Sequence, residues 1–219
     1  MPLPTNGGTP LGGIYSSSCE PLAAAEPEIS VLTELEAFGS EVRRLPALRQ
    51  NIREALAEGE FDLLHLVSHG VFCGTAMADA SGLSLDDGVF MVSELSPRIA
   101  GPLRRSKPLF FFNTCVSGRL GYSLTGLGSW SARLIELGCG GFVGTLWQVT
   151  DRGALEFAKV FYRLLVEDRP IAEAVRLARH ELHVRRPFDP SWLAYRCYAD
   201  PNAHVVAKRG ANDHDQRLP

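Results

Sequence analysis

The sequence predicts an α/β domain in which helices cover both faces of a mostly parallel central sheet. Three apolar runs, at 61–67, 108–112 and 141–147, are short and end at turn-forming residues. Runs of this kind are typical of strands buried on both faces, as in a parallel sheet. Helical patterns lie between and after these runs, and this alternation favours parallel strands joined by crossover helices.

The segment before the first run holds weaker signals. The predicted elements are a weak strand at 14–19, a helix at 31–38, a strand at 41–45 and a helix that Pro46 begins. Gly39 and Gly59 end the two helices. The second helix is the clearer one, because Leu48, Ile52 and Leu56 fall on one face.

The later segments complete the alternating pattern. They are a hairpin at 83–90, a helix at 94–99 capped by Ser93, a helix at 129–137 ended by Gly138, helices that begin at Asp151 and Pro170, and a last strand at 193–198. Residues 14–206 are therefore interpreted as one domain. Residues 1–13 and 207–219 are expected to be disordered, because they lack an apolar pattern.

Composition excludes several classes of function. The chain has 219 residues, 45% of them hydrophobic, and a net charge of −3, which gives no reason to expect a nucleic-acid partner. The sequence contains no run of eighteen apolar residues, so a membrane span is not expected. The first residues do not resemble a signal peptide. The five cysteines are irregularly spaced, which favours a reduced, cytoplasmic setting over a disulfide framework.

Two of the predicted strands end in reactive side chains. His69 follows the run at 61–67, and Cys115 follows the run at 108–112. Carboxyl ends of strands are where reactive groups sit in open α/β sheets. If the two strands are neighbours, an imidazole faces a thiol across a cleft and can activate it as a nucleophile. A buried structural cysteine is the alternative for Cys115, since free cysteines are often buried.

The order of these motifs resembles that of caspase-like cysteine proteases, in which a histidine precedes the cysteine by about fifty residues. The caspase motif Gln-Ala-Cys-x-Gly is not matched. The closer resemblance is to the CHAT domain, a bacterial caspase-like family related to separase. Leu64–Gly70 is similar to its His motif, and Phe112–Cys115 is similar to its Cys motif.

Two further segments carry the same resemblance. Gly144–Arg152 is similar to the Leu-Trp-x-Val-x-Asp segment of CHAT proteins and separases, and Asp189–Tyr195 is similar to the closing Pro-x-x-Trp segment. The resemblance extends from about Glu34 to about Pro201. Four motifs in the family's order make it specific, whereas each motif alone is weak.

The resemblance implies a caspase-like three-layer sandwich and a cysteine endopeptidase acting on a protein or peptide substrate. Cys115 would attack the scissile carbonyl, His69 would act as base or acid, and the backbone N–H groups of Gly70 and Cys115 would hold the oxyanion. This chemistry needs no metal or organic cofactor. Relatives are often switched on by partners or self-cleavage, so a regulatory protein or fused sensor domain is expected, in bacterial signalling or defence.

The resemblance to separases also suggests a substrate pocket, because separases cut after arginine. Asp151 could pair with a basic side chain, and Asp86 and Asp87 could add to the negative field. Trp147 is a candidate pocket wall or a core residue. The alternative for Asp151 is a helix cap, and Arg152 beside it could neutralise the pocket.

Other readings remain open from the sequence. A silent binding or signalling module is the second functional class, because a fold alone does not establish activity. His65 is interpreted as a hydrogen-bonded core histidine rather than a second site residue. No metal site is predicted from His65, His69 and Cys73, whose spacing fits no familiar metal pattern. The cysteines at 19, 139 and 197 are interpreted as packing or surface residues.

Overall fold

The computed structural model describes residues 11–16, 25–33, 41–72, 81–116 and 126–205, with side chains within 26–33, 41–70, 81–114 and 130–205. The strands are β1 (Leu11–Ser16), β2 (Val42–Arg44), β3 (Leu63–Phe72), β4 (Ser81–Leu85), β5 (Gly88–Met91), β6 (Leu109–Val116), β7 (Gly141–Thr145) and β8 (Tyr195–Ala199). The helices are α1 (Ala25–Thr33), α2 (Arg49–Glu58), α3 (Ala100–Ser106), α4 (Gly126–Leu137), α5 (Asp151–Val166), α6 (Ile171–Arg185) and α7 (Ser191–Ala194). Two 3₁₀ turns, Val92–Glu94 and Pro97–Ile99, precede α3.

In this described part of the chain, the strands form one sheet whose main path runs β2-β1-β3-β6-β7-β8. The strands from β2 to β7 along this path are parallel, and β8 pairs antiparallel with β7. β4 and β5 form the predicted antiparallel hairpin, and β4 also pairs with the end of β3. The mostly parallel sheet predicted from the sequence is confirmed.

Helices pack on both faces of this sheet. On one face α1, α5 and α6 cover a cluster that includes Leu63, Phe111, Val143, Phe157 and Phe161. On the other face α2, α3 and α4 cover a cluster that includes Ile52, Leu64, Phe110, Phe112 and Trp130. Successive strand residues point to opposite faces, so the phenylalanines at 110–112 serve both clusters. The three-layer sandwich is therefore confirmed, and the run at 108–112 is its central strand.

Two glycines end helices as predicted. Gly59 follows α2 with φ at 63°, and Gly138 follows α4 with φ at 106°. This left-handed region favours glycine, because a Cβ clashes with the backbone there. A Cβ at Gly59 would also lie 2.4 Å from the Cβ of Pro102. These two positions fix where the chain leaves each helix and enters the next strand.

Several boundaries differ from the sequence prediction. α1 spans Ala25–Thr33 rather than 31–38, and residues 34–38 lie outside the described ranges. Glu26 and Glu28 lie in its first turn, where acidic side chains complement the helix dipole, and this start signal was missed. β1 begins at Leu11, inside the segment expected to be disordered, and α2 begins at Arg49 rather than Pro46.

The segment before β6 also corrects the prediction. Ser96, not Ser93, is the capping residue, since its side chain accepts from the backbone N–H of Arg98. The chain then continues into α3, which the sequence analysis did not predict. Gly101 and Pro102 there resemble helix breakers, but Pro102 lies in the first turn, where its missing N–H leaves no bond unmade.

Candidate active site

The pairing of β3 with β6 brings His69 and Cys115 together. The two parallel strands are in register over residues 63–70 and 109–116, and His69 is paired directly with Cys115. Neighbouring strands lie about 4.8 Å apart, so the two backbones are adjacent at the carboxyl end of the sheet. The side chain of Cys115 is outside the described set, and the site is therefore defined by this register.

His69 lies in the middle of the sheet rather than at an edge. β3 continues past β1, whose last paired residue is Ser16 with Val67. β4 takes the place of β1 there and pairs Ser84 with His69. The imidazole is half-buried, and Gly70 beyond it is buried. The oxyanion role of the Gly70 and Cys115 N–H groups stays a prediction.

The connection from β7 to α5 borders the same end of the sheet. The Thr145 hydroxyl donates to the backbone carbonyl of Thr114, at 3.1 Å, and so ties the end of β7 to the residue before Cys115. Trp147 follows and is 39% exposed, so it is not a core residue. Asp151 begins α5. The structure therefore places Trp147 and Asp151 in the connection next to the cysteine strand.

Asp151 does not cap α5, which corrects the alternative reading of this residue. The cap is Thr150, whose Oγ1 accepts from the backbone N–H of Gly153 at 3.0 Å. Arg152 does not neutralise Asp151 either, because its Nε lies 3.3 Å from Oε1 of Glu156. Among the described residues, Asp151 has neither a capping bond nor an ion pair.

A hydrogen-bonded clamp (Thr150, Gly153, Asp189 and Ser191) joins the two remaining family segments. Thr150 Oγ1 donates to Asp189 Oδ2 at 2.7 Å, and the Thr150 N–H donates to Ser191 Oγ at 3.0 Å. The Ser191 N–H donates to Asp189 Oδ1 at 2.9 Å. A Cβ at Gly153 would lie 2.7 Å from Ser191 Oγ, so only glycine fits. The clamp holds the connection that carries Asp151 in place.

We expect this clamp to make stability depend on pH. Burial acts to raise the pKa of Asp189, but hydrogen bonds from Ser191 and Thr150 outweigh it and hold the pKa below its usual range. A carboxyl whose pKa is lowered on folding stabilises the fold above its unfolded pKa, and this stabilisation is lost as pH falls through the folded value. Urea unfolding of Asp189→Asn should therefore show a smaller loss of stability between pH 6 and pH 3 than wild type. An identical loss in both proteins would contradict the assignment.

Asp86 and Asp87 lie at the hairpin turn between β4 and β5. The backbone N–H of Asp86 donates to the carbonyl of Ala47 at 2.9 Å, and Asp87 Oδ1 accepts from the N–H of Arg49 at 2.9 Å. Asp87 therefore binds the first N–H of α2, a structural role that the sequence analysis missed. The contribution of both carboxylates to a negative electrostatic potential at the substrate pocket stays a prediction.

A buried polar group lies below the paired histidine and cysteine. His65 is 0% exposed, with Nδ1 2.6 Å from the hydroxyl of Tyr162 and Nε2 2.9 Å from Oε1 of Glu28. The interpretation of His65 as a hydrogen-bonded core histidine is confirmed. Glu28 and Asn113 were not predicted from the sequence as members of this buried group. The spacing of Asn113 was the available signal. It lies two residues before Cys115, and alternate strand residues share a face, so the two residues fall on the same face.

The described free cysteines are poor nucleophiles. Burial raises the pKa of Cys139 to about 12 and that of Cys197 to about 11. Their thiolate populations are therefore small near neutral pH, which agrees with a packing role. Within the described ranges, no cluster of three His, Cys, Asp or Glu side chains has a metal-binding arrangement, and Cys73 lies outside them. None of the described helices is both long and apolar enough to span a membrane.

Comparison with known proteins agrees with this architecture. The model of the CHAT domain family matches residues 14–200. Gingipain R (RgpB), an Arg-specific cysteine proteinase of Porphyromonas gingivalis, superposes with a TM-score of 0.58 at 13% identity, over 89% of this chain and 47% of the gingipain chain. The separase of Saccharomyces cerevisiae, in complex with securin, superposes with a TM-score of 0.53 at 13% identity, over 93% of this chain and 12% of the separase.

These likenesses show the fold of caspase-like cysteine proteases, and the chain spans less than half the length of either protein. No curated protein is similar enough in sequence to match. The family match covers most of the chain, from the first strand to the last, and includes the four motifs. The chain therefore belongs to the CHAT domain family.

Proposed function

We propose that the chain is a cysteine endopeptidase in which His69 and Cys115 form the catalytic dyad. The observation that carries the proposal is the direct pairing of these two residues at the carboxyl end of the sheet. A thiol becomes a strong nucleophile when an imidazole takes its proton. The caspase-like fold of the family supports peptide hydrolysis as the reaction.

The reaction follows in two steps. His69 takes the thiol proton, and Cys115 Sγ attacks the scissile carbonyl carbon to form a tetrahedral oxyanion, which the N–H groups of Gly70 and Cys115 stabilise. The C–N bond then breaks, His69 gives its proton to the leaving amine, and a thioester remains. Water, deprotonated by His69, attacks the thioester and releases the acid and the thiol.

A peptide with a thiol-reactive end group tests this proposal. It should label the wild-type chain at Cys115, and His69→Ala should remove most of the labelling. Cys197→Ser serves as the matched control, because the pKa of that thiol is raised by burial and its loss leaves the site unchanged. Cys115 labelling that is unaffected by His69→Ala, with no peptide turnover, would instead favour a silent interaction module.

We also propose that Asp151 binds a basic side chain in the residue before the cut. Its carboxylate is half-buried, does not cap the helix and has no ion-pair partner among the described residues. A guanidinium or ammonium group would satisfy it, and Trp147, at the same connection, offers an aromatic wall. Gingipain R, an Arg-specific cysteine proteinase of the same fold, supports this choice.

A peptide library scanned at that residue gives the measurement. Wild type should prefer Arg or Lys, and Asp151→Asn should lower kcat/KM for these peptides at least tenfold, about the contribution of one charged hydrogen bond. Glu167→Gln is the matched control, because it removes one carboxylate at the far end of α5, from an exposed ion pair with Arg163, and should keep the preference. A preference for Asp or for apolar residues would remove the pocket role.

Activity is further proposed to depend on a regulatory partner, a fused sensor domain or processing. Two glycine-rich segments, at 71–88 and 118–128, follow the histidine and the cysteine in sequence, and many of their residues lie outside the described ranges. We expect the isolated chain to turn over peptides slowly and to be stimulated when it is joined to its natural neighbouring domain. Active-site titration counts the competent molecules. It therefore distinguishes a small active fraction from a full population in which each molecule is slow. Full turnover by the unprocessed, isolated chain would contradict the gating.

A further inference from the structure

Five buried side chains form a continuous polar chain between the sheet and helices α1 and α5. Tyr162 of α5 contacts His65 Nδ1 at 2.6 Å, and His65 Nε2 lies 2.9 Å from Glu28 Oε1 of α1. Asn113 donates to the same Glu28 oxygen at 2.6 Å and accepts from the Tyr195 hydroxyl at 3.0 Å. Each of these side chains is at least 96% buried. We call this set the buried relay.

The hydrogen positions of the relay follow from its donors and acceptors. Burial, and secondly the nearby Glu28 carboxyl, raise the pKa of Tyr162 well above its usual range, so the phenol keeps its hydrogen. Glu28 Oε1 accepts from Asn113 and faces His65 Nε2, so a His65 ring with one hydrogen carries it on Nε2, and its Nδ1 then accepts from the Tyr162 O–H. That last contact is close but not linear, so it is mainly electrostatic. Glu28 is the one acidic side chain in the relay.

The relay lies directly below the dyad. His65 is four residues before His69 on β3, Asn113 is two residues before Cys115 on β6, and Val67 pairs with Asn113 between the two levels. Even spacing along a strand keeps residues on one face. Glu28 thus contacts a side chain from each of the two strands that carry the dyad. It is the bridge between them on this face.

A relay of this kind is not needed for stability alone. Buried charged groups can often be replaced by packed apolar side chains without loss, whereas removing one partner leaves an uncompensated polar group. The surrounding face already offers Phe111, Phe157 and Phe161 as an apolar cluster. The relay adds defined positions, because each of its hydrogen bonds fixes one strand or helix relative to another. Displacement by about 1 Å at a reacting pair can cost about 100-fold in rate.

We propose that Glu28 is a positioning residue that, through His65 and Asn113, holds β3 and β6 so that His69 activates Cys115. The inference rests on the proposed dyad and names the group that sets its geometry. The described contacts of Glu28 are with His65 and Asn113, below the dyad, so loss of its bridge should affect the reactivity of the thiol and kcat, and leave KM nearly unchanged. A contact of Glu28 with substrate would instead affect KM.

The test exchanges the carboxylate and the amide between positions 28 and 113. Glu28→Gln keeps an acceptor but removes the charge, and should slow alkylation of Cys115 several-fold. Asn113→Asp places a second carboxyl group against Glu28 and should slow it at least tenfold. The double variant restores one carboxyl and one amide, and should return the rate to within about threefold of wild type. The measurement is the iodoacetamide rate constant at Cys115, followed by peptide mass spectrometry.

Ile52→Ala on α2 is the matched control, since Ile52 is buried on the opposite face of the sheet. It should lower the unfolding midpoint and leave the Cys115 rate constant unchanged. If the Glu28 and Asn113 variants behave like Ile52→Ala, with lower stability and an unchanged rate per folded molecule, the positioning role is overturned. Should Asn113→Asp fail to fold, Glu28→Gln and the double variant decide the question by the same comparison.

Failure of the proposed peptidase gives a different result. Alkylation reports the thiol itself and needs no substrate, so the relay is tested whether or not peptides are cut. Cys115 alkylation that depends on His69 and on the relay, without peptide turnover even when the chain is joined to its natural neighbouring domain, supports the positioning role and contradicts the peptidase. Alkylation that is indifferent to His69→Ala overturns the dyad and the positioning role together.

Discussion

Cys115→Ala should abolish peptide cleavage while leaving the fold intact. We expect kcat/KM to fall by about four orders of magnitude or more, because a covalent mechanism loses its nucleophile. Cys115 lies at the carboxyl end of β6, beyond the buried residues 109–114 that hold the strand in the sheet. Loss of one sulfur atom there should change the unfolding free energy by less than about 1 kcal/mol. Turnover of a fluorogenic peptide and a denaturation curve give the two measurements.

The single variant His69→Ala and the double variant His69→Ala/Cys115→Ala extend this test. Residues that act as one unit fail together, so the double variant should be about as inactive as either single one. Cys197→Ala is the matched control, because it removes a thiol from β8 without touching the dyad. Multiplicative losses would mean that His69 and Cys115 contribute independently. Full turnover in Cys115→Ala would remove the peptidase assignment.

Phe111→Ala should be among the most destabilising single substitutions in the chain. Phe111 is 0% exposed and lies at the centre of the sheet. Its ring centroid is 5.2 Å from that of Phe161, 5.7 Å from that of Tyr162 and 4.7 Å from that of His65. Truncation would leave a cavity between β6 and α5 and should lower the unfolding free energy by about 3–5 kcal/mol. Urea unfolding at pH 7 measures this loss.

The control for this loss is Phe188→Ala. That ring is 99% exposed, so its removal changes no packing and should shift the unfolding free energy by no more than about 0.5 kcal/mol. Equal effects at the two positions would mean that the central strand does not carry the core. A loss below about 1 kcal/mol for Phe111→Ala would require the sheet to repack around the missing ring.

Local patterns predicted the parts of the fold that depend on neighbouring residues. The apolar run before Cys115 places apolar side chains on both faces of its strand. Both faces must therefore be covered, and this predicted a central strand. Gly59 and Gly138 end helices because glycine adopts their positive φ angles without the cost of a Cβ. His69 and Cys115 each lie in the same strand as the apolar run before them, so their place toward the carboxyl end of that strand could be predicted. Their direct pairing needed the three-dimensional register.

Long-range partners could not be predicted in the same way. Glu28 contacts Asn113 across 85 positions, and in sequence it resembles an ordinary surface acid in the first turn of a helix. Thr150 and Asp151 are adjacent and both are common caps. Their roles differ because the threonine also meets Asp189, which arrives from a distant segment. The missed α3 has a local cause, since Pro102 is harmless only in the first turn.

β3 extends beyond the end of β1, and this extension determines how the backbone at His69 can open to solvent. Because β4 replaces β1 at that level, His69 has a backbone ladder on each side, with Ser84 and with Cys115. Freeing this stretch requires two ladders to open at once, whereas β2 pairs on one side alone among the described strands. We therefore expect native-state hydrogen exchange at position 69 to require global unfolding, and exchange in β2 to occur by local fraying.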